Sequence, residues 1–143
     1  MSDPFDSGSE TCSVILEYAP DDRIVRATWS GIVAAGPMAQ RNSCLRLFAQ
    51  THDLRGGIAD FSQVQDFRLS PIELLGLSAG RLALAPDFPR IVVAPLDHQY
   101  GLSRMFQMWN EAQVKGLRIV RSMDAAFRLL GLVNPRFQIV ATW

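Results

Sequence analysis

Ile58-Ala59-Asp60-Phe61 and Arg90-Ile91-Val92-Val93-Ala94 are the two stretches whose reading decides the fold. Each is a short apolar run with almost no polar alternation, the pattern of a strand covered on both faces. Helical patterns precede, separate and follow them, so the two runs read as neighbouring parallel strands joined by a right-handed helical crossover.

Working outward toward the N-terminus, Arg55-Gly56-Gly57 ends a helix expected over Ala34 to Leu54, with Met38, Leu45 and Phe48 on one stripe and Cys44 and Leu47 widening it. Before that helix, Val14, Leu16 and Tyr18 alternate, and so do Val25, Ala27 and Trp29. Ala19-Pro20-Asp21-Asp22 lies between them and supplies turn chemistry, which makes a hairpin. Between the two apolar runs, Ser70-Pro71-Ile72-Glu73 opens a second helix. Ser70 suits the N-cap, Pro71 the first turn and Glu73 the reciprocal capping position. Leu69 and Leu74 suit a hydrophobic staple, and Ile72, Leu75, Ala79 and Leu82 carry the helical spacing to Pro86.

Beyond the second run, Asp97 to Lys115 carries Leu102, Met105, Phe106, Trp109 and Ala112 on one expected buried stripe, ended by Gly116. Leu117 to Arg121 alternates as a strand. Ser122 caps a last helix bearing Met123, Phe127 and Leu130, ended by Gly131. The order is β-β-α-β-α-β-α-β-α: an α/β fold with a single mixed, mostly parallel five-stranded sheet in a βα superhelix. Phe137 to Trp143 is a candidate sixth strand. Residues 1–12 read as a disordered tail, 13–132 as the domain and 133–143 as an extension.

The chain has 143 residues, 48% apolar and 20% charged, with 14 basic and 14 acidic side chains. The size fits one domain with its own core. Zero net charge argues against nucleic acid or an anionic membrane surface as the main partner, since both need clustered positive charge. Cys12 and Cys44 are far apart and read as free thiols in a reducing compartment. The polar, acidic stretch from Met1 to Thr11 lacks a signal pattern, and the longest apolar stretch, Gly31 to Ala39, is too short to span a bilayer. A cytoplasmic protein without membrane insertion is expected, with homodimerisation left open.

The element order, Ile58-Ala59-Asp60-Phe61-Ser62-Gln63-Val64 after the first helix, and Tyr100-Gly101-Leu102-Ser103-Arg104-Met105-Phe106 in the third together resemble the SpoIIAA-like superfamily. That group contains the STAS domains and a bacterial branch of unassigned function, and the resemblance covers roughly residues 13–132. It implies a regulatory or ligand-binding role rather than catalysis. Phosphorylatable STAS proteins carry an Asp-Ser-x-Gly type motif where this chain has Arg68-Leu69-Ser70-Pro71. Leu69 stands at the phospho-acceptor position, which argues against a phospho-switched role. Some relatives of similar shape, the CRAL-TRIO type, enclose apolar ligands. Phe67, Leu69, Leu74, Leu77 and Met108 are the corresponding apolar supply here, or ordinary core.

Asp97, His98, Tyr100 and Arg104 form the densest polar group, where an apolar strand gives way to a helix. Open α/β sheets bind ligands at such places. Free amides at the helix start favour an anion, and Arg104 offers a fork. Equally, Asp97 serves as a cap, and Tyr100 packs on Arg104. Asp60, with Ser62 and Gln63, is a candidate for the same crevice, or else accepts the amides of the chain that follows it. Gly76-Leu77-Ser78-Ala79-Gly80 matches the nucleophile elbow of serine hydrolases, but falls inside a helical pattern where that chemistry needs a strand-to-helix turn. His52 reads as a surface or capping histidine. No metal set and no phosphate-binding glycine loop has credible spacing, so no cofactor is expected. The expectation is a non-enzymatic regulatory module that binds a protein partner through the Asp97–Arg104 face. The alternatives are a carrier or sensor of a small apolar or anionic ligand and, remotely, a serine hydrolase acting through Ser78.

Overall fold

A computed structural model describes residues 12–78 and 87–143, without the side chains of 75–78. Its strands are β1 (Ser13–Ala19), β2 (Ile24–Ala34), β3 (Gly56–Arg68), β4 (Arg90–Val93), β5 (Leu117–Val120) and β6 (Gln138–Thr142). Its helices are α1 (Ala35–Thr51), α2 (Pro71–Ser78), α3 (Asp97–Trp109) and α4 (Met123–Leu130). The six strands form one sheet in the order β5-β4-β3-β2-β1-β6. The apolar runs are adjacent parallel strands at its centre, with Ile58 opposite Ile91 and Ala59 opposite Val92. The antiparallel hairpin β1–β2 lies on one side and parallel β5 on the other. The C-terminal stretch is a sixth strand, antiparallel to β1.

Local chemistry sets several element ends. In the capping box of α2, the Ser70 amide donates to Glu73 Oε1 at 3.0 Å and the Glu73 amide donates to Ser70 Oγ at 3.1 Å. At α4 the Ser122 hydroxyl accepts the Ala125 amide at 3.1 Å, and Gly131 ends the helix with φ 68°. That left-handed backbone is easy for glycine alone. The β1–β2 register sets Glu17 beside Arg26, which meet in two hydrogen bonds of 3.1 and 3.2 Å.

Four details depart from the sequence reading. The strand expected to stop at Phe61 continues to Arg68 with irregular register against β2, and it starts at Gly56, so the glycines belong to the strand rather than to a helix stop. A Cβ on Gly56 would come within 2.9 Å of Ile24 Cδ1, so the end of that side chain would have to shift. The helix expected to reach Lys115 ends at Trp109, where Asn110 caps it by donating Nδ2 to the Phe106 carbonyl. Cys12, placed in the tail, is buried in the core. Residues 1–11 of that tail, and the expected continuation of α2 through Ala79 and Leu82 to Pro86, lie outside the described residues.

The two faces of the sheet are built differently. On one, Ile24, Ile58, Ile91 and Val93 pack against Ala126 and Leu130 of α4, all of them buried. On the other, Val14, Leu16, Ala27, Trp29 and Phe61 form a second cluster, which Met38, Leu45 and Phe48 of α1 meet only in part. Among the seventeen residues of α1, none is buried.

Candidate functional site

The register of the central strands explains why α1 stands off the sheet. Side chains alternate between faces along a strand. On the α1 side the pairs that meet are Val25 with Gly57 and Ala27 with Ala59, whereas the α4 side presents isoleucines at Ile24, Ile58 and Ile91. Small residues at Ala27, Gly57 and Ala59 keep this part of the floor low, with Val25 and Phe88 close beside Gly57. The result is a cavity of about 310 Å³. Val25, Ala27, Trp29, Ala59, Phe61 and Val92 line it from the sheet, Met38, Leu45 and Ala49 from α1, and Leu74 from α2. Leu102 and Phe106 of α3 complete the wall together with Phe67, Leu69, Phe88, Val114 and Leu117. The polar residues of the described lining are Asn42, Arg46, Arg90 and Ser103.

The face of α3 follows from this arrangement. Its buried residues are Gln99 and Ser103, while Leu102 and Phe106 line the cavity and Trp109 and Ala112 are exposed. Gln99 is completely buried. Its Nε2 donates to the carbonyls of Phe61 at 3.0 Å and Val64 at 3.3 Å, and its Oε1 accepts the Leu96 amide at 3.2 Å. The cause lies in the sheet: β4 pairs with β3 only as far as Asp60, so the next stretch of β3 leaves carbonyls that β4 does not reach. Buried carbonyls need donors, and Gln99 supplies them, fixing α3 over the cavity. A glutamine three places after the last residue before a helix is a capping pattern that the sequence carried and that the apolar stripe overshadowed.

The predicted site residues do not converge. Asp60 lies in mid-strand on the α4-facing side, buried, and its Oδ1 accepts the Ser62 amide at 2.9 Å. It is therefore apart from the start of α3. Asp97 is fully exposed and pairs with Arg121 at 2.8 Å, and the same guanidinium stacks over the Tyr100 ring at 4.1 Å and donates to the Pro95 carbonyl. Arg121, at the end of β5, thus organises the polar group, and sequence reading did not place it there. His98 is exposed. Arg104 is exposed as well, one turn along, and donates to Gln107 Oε1 at 2.8 Å. It borders an open hollow of about 390 Å³ together with Gln107, Met108, Glu111, Val114, Lys115 and Arg118.

Ser78 is the last described residue of α2, a helical position rather than a strand-to-helix elbow. Cys12, read as a free thiol, is buried, and burial pushes its thiol above the ordinary range, with Arg41 opposing the shift in part. A neutral buried thiol is a poor nucleophile. Among the described residues no group of three His, Cys, Asp or Glu side chains is placed to hold a metal ion, and no helix is long and apolar enough to cross a membrane. The chain matches no family model and no curated protein.

Proposed function

We propose that this is a non-enzymatic binding module of SpoIIAA-like type whose ligand is a small, largely apolar molecule held between the sheet and α1–α3. The observation that carries the reading is the floor of Ala27, Gly57 and Ala59 beneath a cavity with apolar walls. Pockets of roughly 300–1,000 Å³ with apolar walls and a few polar groups are the usual form of small-molecule sites. Burying apolar ligand surface there is favourable by roughly 25 cal/mol per Å². The Leu69 substitution at the phospho-acceptor position and the helical setting of Ser78 support a regulatory or carrier role over phospho-switching or hydrolysis.

A neutral fluorophore tests this reading. N-phenyl-1-naphthylamine is expected to bind saturably with one site, and Ala59→Leu, which fills the floor, is expected to abolish the signal while the fold persists by circular dichroism. Equal binding by Ala59→Leu would reject the cavity as the site.

A protein partner on the outer surface of α3 is a second reading, supported by Arg104, Met108 and Trp109. All three are exposed at neighbouring helical positions and are residue types enriched at interfaces. On that reading, Arg104→Ala with Met108→Ala removes the chain from a defined complex in its host and leaves fluorophore binding intact. Persistence of the complex would reject it.

A further inference from the structure

The open hollow beside α3 gathers charge from three successive parts of the fold. Arg104 stands on α3, Lys115 in the stretch that follows, and Arg118 on β5, an edge strand of the sheet. All three are exposed. The guanidiniums meet neutral oxygens: Arg104 donates to Gln107 Oε1 at 2.8 Å, and Arg118 to the Lys115 and Leu117 carbonyls at 3.2 and 3.0 Å. None of the three cations is ion-paired with a described carboxylate. Glu111 is the one acidic residue of the described lining. A charge on an edge strand deters stray strand pairing. Arg118 meets that need, but Arg104 lies on a helix and Lys115 between elements, where the need does not arise. Met108, one turn from Arg104, borders the same hollow and is exposed, as is Trp109 next to it.

We propose that this hollow docks an acidic segment of a partner protein, its carboxylates meeting Arg104, Lys115 and Arg118 and an apolar side chain meeting Met108. This rests on the outer surface of α3 being an interface and adds the chemistry of what binds there. Guanidinium groups match carboxylates in charge and in planar, two-pronged geometry. Complementary charge across an interface speeds encounter and fixes register, while the exposed methionine offers apolar area to bury. The whole chain has as many acidic as basic residues, which favours a protein segment over nucleic acid. Outside the described residues the chain has acidic side chains of its own at Asp3, Asp6 and Glu10, so the test separates an external segment from these.

The probes are two fluorescein-labelled peptides, Gly-Asp-Glu-Leu-Asp-Glu-Phe-Gly and its neutral counterpart Gly-Asn-Gln-Leu-Asn-Gln-Phe-Gly. Each is titrated with the full chain at low ionic strength and followed by fluorescence anisotropy. The acidic peptide is expected to bind about tenfold more tightly, the gain of one charge-assisted contact. In Arg104→Gln/Lys115→Gln/Arg118→Gln that advantage is expected to disappear, and Met108→Ser is expected to weaken both peptides alike. The single variants, each losing part of the advantage, serve if the triple variant does not fold. Equal binding of the two peptides by the wild type, or an advantage that survives all three substitutions, would overturn the acidic class and leave the interface reading of α3 standing. Binding of neither peptide would also overturn it, and the interface reading would then rest on the host complex alone. Stronger competition by oligodeoxythymidine than by the acidic peptide would replace the protein partner with nucleic acid. A gain of about tenfold in Asp3→Asn/Asp6→Asn/Glu10→Gln would assign the hollow to the chain's own acidic residues instead.

Discussion

The sheet has a filled face and a hollow one, and the contrast comes down to which side chains meet in register. Under α4, isoleucines from β2, β3 and β4 stand next to each other and Ala126 lets the helix settle onto them. Under α1, the corresponding neighbours are Ala27, Gly57 and Ala59, and the helix above contributes no buried residue. Both faces belong to the same strands, so the difference lies in side-chain volume at alternating positions. The α4 face is filled by large side chains, whereas the α1 face combines a buried cluster around Trp29 with space over the small residues.

The contrast is sharpest under truncation. Leu130→Ala, on the filled face, is expected to cost about 2–5 kcal/mol in chemical denaturation. Leu45→Ala, on the cavity wall, is expected to cost about 1 kcal/mol or less, since its side chain is only partly buried. Comparable losses would mean the two faces are equally packed.

The bracket that holds α3 over the cavity comes next. Gln99→Leu leaves the Phe61 and Val64 carbonyls without that donor and is expected to cost about 1–3 kcal/mol. It should also weaken fluorophore binding, whereas a purely local role would leave binding unchanged.

Adding volume reverses the logic. Ala126→Leu overpacks the filled face and is expected to cost about 1–3 kcal/mol. Ala59→Leu enters empty space and is expected to stay within about 0.5 kcal/mol of the wild type. An equal cost for both would close the cavity.

Smaller effects mark sites away from either face. Ser70→Ala removes the α2 cap and is expected to cost about 0.5–2 kcal/mol, with Ser70→Asp nearly neutral because aspartate also caps. Arg104→Ala, at an exposed position bonded to Gln107, is expected to change stability by no more than about 0.5 kcal/mol. A larger loss there would mean that Arg104 carries structure rather than surface.

Strand order and helix order were legible in the sequence because continuous apolar runs, turn residues and caps each act locally. Ile58–Phe61 and Ile91–Ala94 announced buried strands, and Ser70 with Glu73 and Ser122 with Gly131 announced helix ends. Of the candidate ligand contacts, Phe67, Leu69 and Leu74 line the cavity, Met108 is exposed by the open hollow instead, and the Leu77 side chain lies outside the described residues. The floor was not legible, because an alanine in a strand signals nothing until its neighbour across the ladder is known. Gln99 was hidden for the same reason: its partners are backbone carbonyls 35 and 38 residues away, exposed only because β4 is shorter than β3. Arg121 reaches Asp97 and Tyr100 from the end of another strand, a juxtaposition that only the sheet order creates.

The most direct test of a hollow, ligand-accepting face is a titration of decan-1-ol followed in methyl NMR spectra of the full chain. Methyl signals of Val25, Leu45, Val92 and Leu102 are expected to move saturably together, while those of Ile24, Val93 and Leu130 on the α4 side stay in place. Shifts spread equally over both faces, or growing without saturation, would contradict the account.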